Sequence, residues 1–374
     1  MAPAAMGMAL STCRPNSSAD SRRELDRSWD RHLAKAVQRY RDVVISGLAH
    51  LDAPNVLTSE AIEEELAPTL RRLRLRPGLM RTVAGIGERR LWDVGTMPST
   101  AAAAVGELAL TRSGVAREDI GALINTSVDR DYLEPSTASI VHGRMQLPPM
   151  ALNLDLGNAC LGFLNGMSLV AAMIEQGEID HGLVVDAEGS RFVVESTIAR
   201  LVADPDPTSF RAQFATLTLG SGAAAMVLSR RDLAPDGHRF LGGLSRAGTE
   251  HAQLCTGQRD EMSTDAPALL VAGLAVAAAT WKEAVDSFGW DATGFDLYAV
   301  HQISKVHTRA ICDTLNLDRD RFPLIYPTFG NIGPASIPTV LSKAVDSGRL
   351  VSGDRVVLMG IGSGINATAA EVLW

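Results

Sequence analysis

A single cysteine, Cys160, stands where a strand-like run meets a helix-like run. Residues 151–156 alternate apolar and polar side chains as a β-strand does, and residues 161–179 are rich in Ala, Leu, Met and Gly with helical spacing. A cysteine in the first turn of that helix meets unpaired N–H groups at the positive end of the helix dipole. We therefore expect a lowered thiol pKa and a thiolate nucleophile. The alternative is a buried cysteine that only fills the core.

Two other polar side chains stand in settings that suit catalysis. His301 follows the short apolar run 297–300 and is expected at the carboxyl end of a strand, where open α/β sheets bind their ligands. Asn331 lies in the glycine-rich loop 329–338. Each residue also has a structural interpretation, the histidine as a core residue and the asparagine as a turn residue that tolerates left-handed backbone angles.

Four longer strings join these three residues in a resemblance to a known family. The strings are Asn-Thr-Ser-Val-Asp-Arg-Asp-Tyr-Leu-Glu-Pro-Ser-Thr-Ala-Ser-Ile-Val at 125–141, Gly-Leu-Ala-His-Leu-Asp-Ala-Pro at 47–54, Gly-Asn-Ile-Gly-Pro-Ala-Ser at 330–336 and Gly-Ile-Gly-Ser-Gly at 360–364. From about residue 43 to residue 374 the chain resembles the ketoacyl synthase III branch of the thiolase superfamily. Within that branch it is similar to the OleA-type enzymes, which join two long acyl thioesters head to head.

The resemblance implies an α/β thiolase fold in which two duplicated βα halves form a five-layered αβαβα core. Alternation of elements along the chain favours the same class, with strand candidates at 121–125, 182–186 and 223–228 and helix candidates at 100–113 and 161–178. We expect one half at 43–231 and the other at 232–374, divided in a polar stretch with the turn signal Pro235-Asp236-Gly237.

Residues 1–42 lie outside the resemblance and are expected to form an added helix. A set of apolar residues recurs there at helical spacing, namely Leu25, Trp29, Leu33, Val37 and Tyr40. Docking of this amphipathic helix on the body is the plain interpretation, with partner binding or an overlong start-site assignment as alternatives.

The chemistry that the resemblance implies uses five residues. Cys160 attacks an acyl thioester, and the backbone N–H groups of Cys160 and Ser363 hold the oxyanion. His301 and Asn331 donate hydrogen bonds to the enolate of the second substrate. Glu134 reaches across a homodimer interface as the general base, whereas by its local sequence alone it is a surface glutamate before a proline in a turn.

The implied function is condensation of two long-chain acyl-CoA thioesters, without decarboxylation, to a 3-keto acid for long-chain olefin or β-lactone synthesis. A decarboxylating ketoacyl synthase III that starts fatty acid or polyketide chains is an alternative that needs no Glu134. A catalytically silent partner subunit is another. Coenzyme A or an acyl carrier protein would present the acyl groups, downstream pathway enzymes are possible partners, and no other cofactor is implied.

Composition limits the other function classes. The chain has 374 residues, 46% hydrophobic and 21% charged, which is enough to bury a large core, and its formal charge of −8 argues against general nucleic-acid binding. Its 4 cysteines form no CxxC pair and its 8 histidines no metal-binding motif, so we expect no metal site and a reducing cytoplasm. Neither a secretory leader nor a membrane-spanning run is expected, since the apolar run 267–281 is short.

Two further segments each have a structural and a functional interpretation. An arginine cluster comprises Arg71, Arg72, Arg74, Arg76 and Arg81. It is either a solvated helix face or a contact for the phosphates of coenzyme A or a carrier. Residues 190–219 contain several apolar side chains that either line or cap acyl channels or form ordinary core.

Overall fold

The computed structural model describes residues 37–374, in which strands and helices alternate. The strands are β1 Val37–Arg39, β2 Val43–Asp52, β3 Asn55–Thr58, β4 Glu88–Leu91, β5 Ile120–Asn125, β6 Leu152–Asp155, β7 His181–Glu188, β8 Gly222–Arg230, β9 His238–Ala247, β10 Cys255–Gly257, β11 Met262–Thr264, β12 Leu297–Val300, β13 Arg355–Gly362 and β14 Asn366–Leu373. The α-helices are α1 Ser59–Glu65, α2 Ala67–Arg72, α3 Pro98–Ser113, α4 Thr137–Arg144, α5 Gly162–Glu175, α6 Arg191–Ala203, α7 Pro207–Gln213, α8 Ala266–Phe288, α9 Lys305–Leu315, α10 Tyr326–Phe329 and α11 Ser336–Asp346. A π-helical turn spans Met80–Ala84.

The main sheet has ten strands and repeats one pairing pattern twice. Its order is β12-β13-β14-β9-β2-β8-β7-β5-β6, and β1 also pairs with β9. In the first set β5 is parallel to β7, and β7, β8 and β2 follow in antiparallel pairs. In the second set β12 is parallel to β13, and β13, β14 and β9 follow in antiparallel pairs. The repeat agrees with two duplicated halves.

The layers follow from which side of each strand is buried against which helix. Helix α3 packs on β2, β7 and β8 with Leu183 and Val185 in its core cluster. Val184, which points to the opposite face, joins a central cluster with α5, α11 and the strands of the second set. Helix α8 covers β9, β13 and β14 from outside. The layers therefore follow in the order helix α3, first set of strands, central helices α5 and α11, second set of strands, helix α8.

The division between residues 231 and 232 falls between β8 and β9. Only Val44 with Arg239 and Ile45 with His238 pair β2 to β9 across it. Residues 38–374 nevertheless pack as one unit, and the division stays a prediction.

The predicted N-terminal helix is wrong at its end. Val37–Arg39 form a strand on β9, and Tyr40 donates its N–H to Leu241 while its ring lies 5.4 Å from that of Phe240. Hydrogen bonding to an available sheet position outweighs the helical spacing of the sequence. The rest of the prediction lies outside the described residues.

Two further boundaries differ from expectation. Gly360, Ile361 and Gly362 belong to strand β13, not to a loop, because they pair with β14, so only Ser363 to Ile365 make the turn. Helix α8 extends to Phe288, beyond the predicted run 267–281. It is the one helix of the described part that has the length and composition to cross a membrane, and it packs on the sheet.

Candidate active site

Cys160 lies in a tight connection between β6 and α5, two residues before the first residue of the helix. The preceding Ala159 has a left-handed backbone (φ 44°), and Leu161 is fully buried behind it. Strand β13 supports the connection closely: a Cβ atom placed on Gly362 would lie 3.4 Å from the Cys160 nitrogen. The cysteine is therefore held at the amino-terminal end of α5, as its sequence setting predicts.

The expected fall in the Cys160 pKa is wrong. Burial raises the pKa of the thiol to about 12, and the neighbouring groups Cys255, Glu188 and Asp186 add to the effect. Desolvation penalises the thiolate more than the helix end favours it. The ligand-free site thus holds a thiol.

His301 follows β12 and is 1% exposed. The backbone N–H of His301 donates to the carbonyl oxygen of Met359 on β13 over 2.9 Å, which fixes His301 at the carboxyl end of β12. Burial lowers the pKa of the ring to about 4, so the imidazole is neutral near pH 7. A ring of the buried His307 on α9 lies 6.5 Å away, centroid to centroid.

Asn331 meets His301 from the loop after α10. Oδ1 of Asn331 accepts the N–H of Gly333 at 3.0 Å and lies 3.1 Å from Nε2 of His301. The Asn331 backbone pairs with the segment before β8, donating to Thr218 and accepting from Gly220, both over 2.9 Å. The side-chain NH₂ group is thereby left as a donor for a substrate oxygen.

Ser363 is the first residue of the β13–β14 turn. The turn and the cysteine connection are linked through side-chain amides: Asn366 donates to Asn158 over 3.2 Å, and Asn158 donates to Asn165 over 2.6 Å. The structure thus brings Ser363 to the same end of the sheet as Cys160. Its contribution to an oxyanion hole remains a prediction.

Glu134 is not part of this cluster within one protomer. It is exposed on the segment between β5 and α4, and within residues 37–374 no hydrogen bond or ion pair connects it to Cys160, His301 or Asn331. The adjacent Leu133 is 96% exposed.

The sequence reasoning missed a buried carboxyl pair, Asp186 and Glu188, at the end of β7. Both side chains are at least nine-tenths buried, and burial raises both pKa values, that of Asp186 to about 8. The charge of Asp186 raises the pKa of Glu188 further, whereas hydrogen bonds with Thr126 and Glu188 lower that of Asp186. Acidic residues at i and i+2 at the end of an otherwise apolar strand were the signal, because such residues share one face.

The apolar residues of the segment 190–219 are divided between a small core and the surface. Its buried apolar residues pack with α1 and α2 around one small core, namely Val194, Ile198, Leu201, Phe210 and Leu217. Phe192 and Val202 are exposed instead. A channel-lining role for this segment stays a prediction.

No group of three or more His, Cys, Asp or Glu side chains in the described part of the chain could hold a metal ion. Cys160, Cys255 and Cys312 are free thiols.

The sequences of known proteins match this chain over most of its length. Residues 154–243 match the family described as 3-oxoacyl-[acyl-carrier-protein (ACP)] synthase III, and residues 285–374 match its C-terminal family. The acyl-CoA:acyl-CoA alkyltransferase of Xanthomonas campestris pv. campestris is 47% identical over 90% of this chain and 99% of its own length. The protein of that name from Shewanella oneidensis is 33% identical over 90% of this chain and 100% of its own.

Solved structures agree. A crystal structure of X. campestris OleA with bound lauric acid and lauroyl-CoA superposes with a TM-score of 0.88 at 47% identity, over 90% of this chain and 100% of that one. The predicted thiolase fold is therefore confirmed. The chain belongs to the acyl-CoA:acyl-CoA alkyltransferase (OleA) branch of the 3-oxoacyl-[acyl-carrier-protein] synthase III family.

Proposed function

We propose that this protein is an acyltransferase that condenses two long-chain acyl-CoA thioesters, without decarboxylation, to a 2-alkyl-3-ketoacyl product released as the 3-keto acid. The observation that carries the proposal is the 47% identity, over nearly the whole chain, to a protein named acyl-CoA:acyl-CoA alkyltransferase. X. campestris OleA has been crystallised with substitutions at a glutamate, a cysteine or a histidine. These three residue types follow one another along that chain in the same order as Glu134, Cys160 and His301 do in this one.

The first step is transfer of an acyl group to Cys160. The sulfur attacks the thioester carbonyl carbon, and the N–H groups of Cys160 and Ser363 hold the resulting oxyanion. The bond to the coenzyme A sulfur breaks, and the proton from the Cys160 thiol ends on that departing sulfur. Because the resting group is a thiol, this step needs no separate base in its overall balance.

The second step is carbon–carbon bond formation. Glu134 removes a proton from the α-carbon of a second acyl-CoA, and the enolate oxygen accepts hydrogen bonds from His301 and the NH₂ group of Asn331. The α-carbon attacks the acyl carbonyl on Cys160, and the carbon–sulfur bond breaks. The proton held by Glu134 returns to the Cys160 sulfur. Water then hydrolyses the remaining thioester to the 3-keto acid and coenzyme A.

The proposal includes a homodimer in which Glu134 enters the partner's site. Strand β6 is an edge of the ten-stranded sheet, and no strand within residues 37–374 pairs with its outer side. Exposed apolar residues lie on and before this strand and on the Glu134 segment, namely Val128, Tyr132, Leu133, Met150 and Leu152. An open edge and an apolar patch together favour pairing with a second chain.

Coenzyme A is the favoured acyl donor. Arg71, Arg72, Arg74 and Arg76 are exposed and form no ion pair with any residue of the described part, in a chain whose net charge is −8. Guanidinium groups bind phosphates through paired hydrogen bonds. An acidic carrier protein would meet the same surface, so the donor is decided by comparing the two substrates.

We place the reaction in the cytoplasm, ahead of reducing or ring-closing enzymes of olefin or β-lactone synthesis.

Purified protein with myristoyl-CoA as the sole substrate tests the proposal. We expect continuing release of free coenzyme A and a 3-keto acid, or its decarboxylated ketone, by mass spectrometry. Glu134→Gln should acylate Cys160 and then stop, since a general base contributes about 10²–10⁴-fold. Cys160→Ala should release no coenzyme A.

Other outcomes identify the alternatives. Acyl-Cys160 that condenses only when malonyl-CoA or a malonyl carrier protein is added would show a decarboxylating synthase. Absence of acylation would show a silent partner subunit.

A further inference from the structure

Glu188, in the buried pair at the end of β7, contacts both the segment that carries Glu134 and the turn that follows Asn331. Oε1 of Glu188 accepts the N–H of Val128 at 2.6 Å. Val128 begins the segment that carries Glu134 six residues later; Val128 and residues 132–135 are exposed, whereas Asp131 between them is buried and accepts hydrogen bonds from Ser99. On its other side the carboxyl group packs against the turn behind Asn331: a Cβ atom placed on Gly333 would lie 3.4 Å from Cδ of Glu188.

The rest of the Glu188 residue is fixed rigidly. Its backbone pairs with Gly222 in the β7–β8 ladder, and its carbonyl oxygen accepts the indole N–H of Trp92 at 3.0 Å. The side chain therefore projects from a fixed strand end, and Val128 has little freedom while the 2.6 Å hydrogen bond persists.

The hydrogen bonds of Asp186 indicate that Glu188 carries a proton. Oδ2 of Asp186 accepts the Thr126 hydroxyl at 2.6 Å, whereas Oδ1 is buried and meets no N–H or hydroxyl donor of the described residues. Glu188 lies two residues along β7 on the same face of the strand, so its carboxyl group is the neighbouring group that can meet this oxygen. A protonated Glu188 supplies the missing donor.

Charge leads to the same result. No Lys, Arg or His forms an ion pair with either acid within residues 37–374. Two carboxylates on one strand face, buried without a cation, cannot both be ionised at neutral pH. The raised pKa values of both groups agree with this reasoning.

We propose that Glu188 is a positioning residue that acts as a neutral acid, donating its proton to Asp186 while its other oxygen holds Val128 and so fixes the segment that presents Glu134. Its carboxyl group also fills the space behind the Gly333 turn and keeps Asn331 in place. This inference rests on the proposed function, through the role of Glu134 in condensation. It does not make Glu188 a base.

Two conservative variants separate a neutral positioning acid from a charged catalytic group. Glu188→Gln keeps the chain length, the acceptor oxygen and an N–H donor for Asp186. Glu188→Asp keeps the acid but is one methylene shorter and withdraws the oxygen from Val128. The two steps are measured separately in the full-length enzyme with myristoyl-CoA: acylation by mass spectrometry of Cys160, and condensation by formation of the keto acid.

We expect both variants to acylate Cys160 within about threefold of the wild-type rate. Glu188→Gln should also condense within about threefold of wild type, whereas Glu188→Asp should condense about 10- to 100-fold more slowly, as small misplacements of a reacting group do. Loss of fold would not leave condensation intact in the Gln variant, nor would it slow condensation in the Asp variant while leaving acylation unchanged.

The proposal is overturned if Glu188→Asp condenses as fast as Glu188→Gln or faster, or if the Gln variant loses condensation as Glu134→Gln is expected to. Equal loss of acylation and condensation in both variants would also overturn it. Wild-type enzyme that fails to condense would instead refute the proposed function, so the two failures are distinguishable.

Discussion

Nε2 of His301 lies 3.1 Å from Oδ1 of Asn331, and the same oxygen accepts the N–H of Gly333 at 3.0 Å. A backbone N–H only donates, so the Asn331 oxygen is identified by its partner and the NH₂ group faces the open site. It follows that the proton of His301 is on Nε2. In the ligand-free site this proton is donated to Asn331, so the NH₂ group of Asn331 is the free donor, and the His301 N–H must turn from Asn331 to reach the same substrate oxygen.

Asn331→Asp tests this arrangement. The variant keeps the acceptor for Gly333 but replaces the donor by a second carboxylate oxygen. We expect condensation to fall about 10²–10³-fold, as it does when one oxyanion donor is removed. Single-turnover assays with acyl-Cys160 enzyme measure the step directly, and a wild-type rate would rule out the donor role.

Alkylation by iodoacetamide tests the raised pKa of Cys160. Burial raises this pKa to about 12. The rate at Cys160, followed by peptide mass spectrometry, should therefore increase from pH 7 to beyond pH 9 without a plateau, because only the thiolate reacts. Cys160→Ala identifies labelling at the other three cysteines, Cys13, Cys255 and Cys312. A plateau below pH 8 would show that the helix end outweighs burial.

Mixed dimers test the placement of Glu134. Neither Cys160→Ala nor Glu134→Gln should condense alone, but a heterodimer of the two has one site that combines Cys160 of one chain with Glu134 of the other. Dissociating and re-forming equal amounts should restore part of the wild-type activity. Failure to do so in verified heterodimers would place the base within its own protomer.

Gly220→Ala tests the contact that seats the Asn331 loop. A Cβ atom at this position would lie 1.9 Å from the carbonyl oxygen of Phe329, so the loop must move. We expect a loss of about 1–3 kcal/mol in the free energy of unfolding, together with slower condensation. Gly143→Ala in helix α4 is the control. No atom lies within 4 Å of its added methyl group, and a gain of about 0.5–1 kcal/mol is expected. Urea denaturation compares the two, and equal effects would contradict the contact.

Asp186→Asn tests the carboxyl pair through the pH dependence of stability. The pKa of Asp186 is raised to about 8 in the fold, from about 4 in an unfolded chain. Between these values unfolding releases a proton, so this contribution to stability is complete below about pH 4 and is lost as the pH rises to about 8. Removing the acid should make the unfolding free energy fall less steeply from pH 6 to 8, by up to ~1.4 kcal/mol per pH unit. Parallel curves for variant and wild type would refute the shift.

Local sequence was sufficient for several elements. The alternating run at 151–156 and the apolar run at 297–300 became strands β6 and β12, and the helical run after Cys160 became α5. Each is fixed by periodicity over a few residues and by burial of one face. Periodicity failed at Val37, where hydrogen bonds from a distant strand, β9, took the residue into a sheet. Information on that partner is absent from the local pattern.

The sequence by itself was enough to predict the residues of the candidate site, because the cysteine before a helix, the histidine after a strand and the asparagine among glycines are all local settings. Only the tertiary structure decided their electrostatics. Burial raises the pKa of Cys160, keeps the His301 ring neutral and raises the pKa values of Asp186 and Glu188, because desolvation depends on atoms that the whole fold brings together.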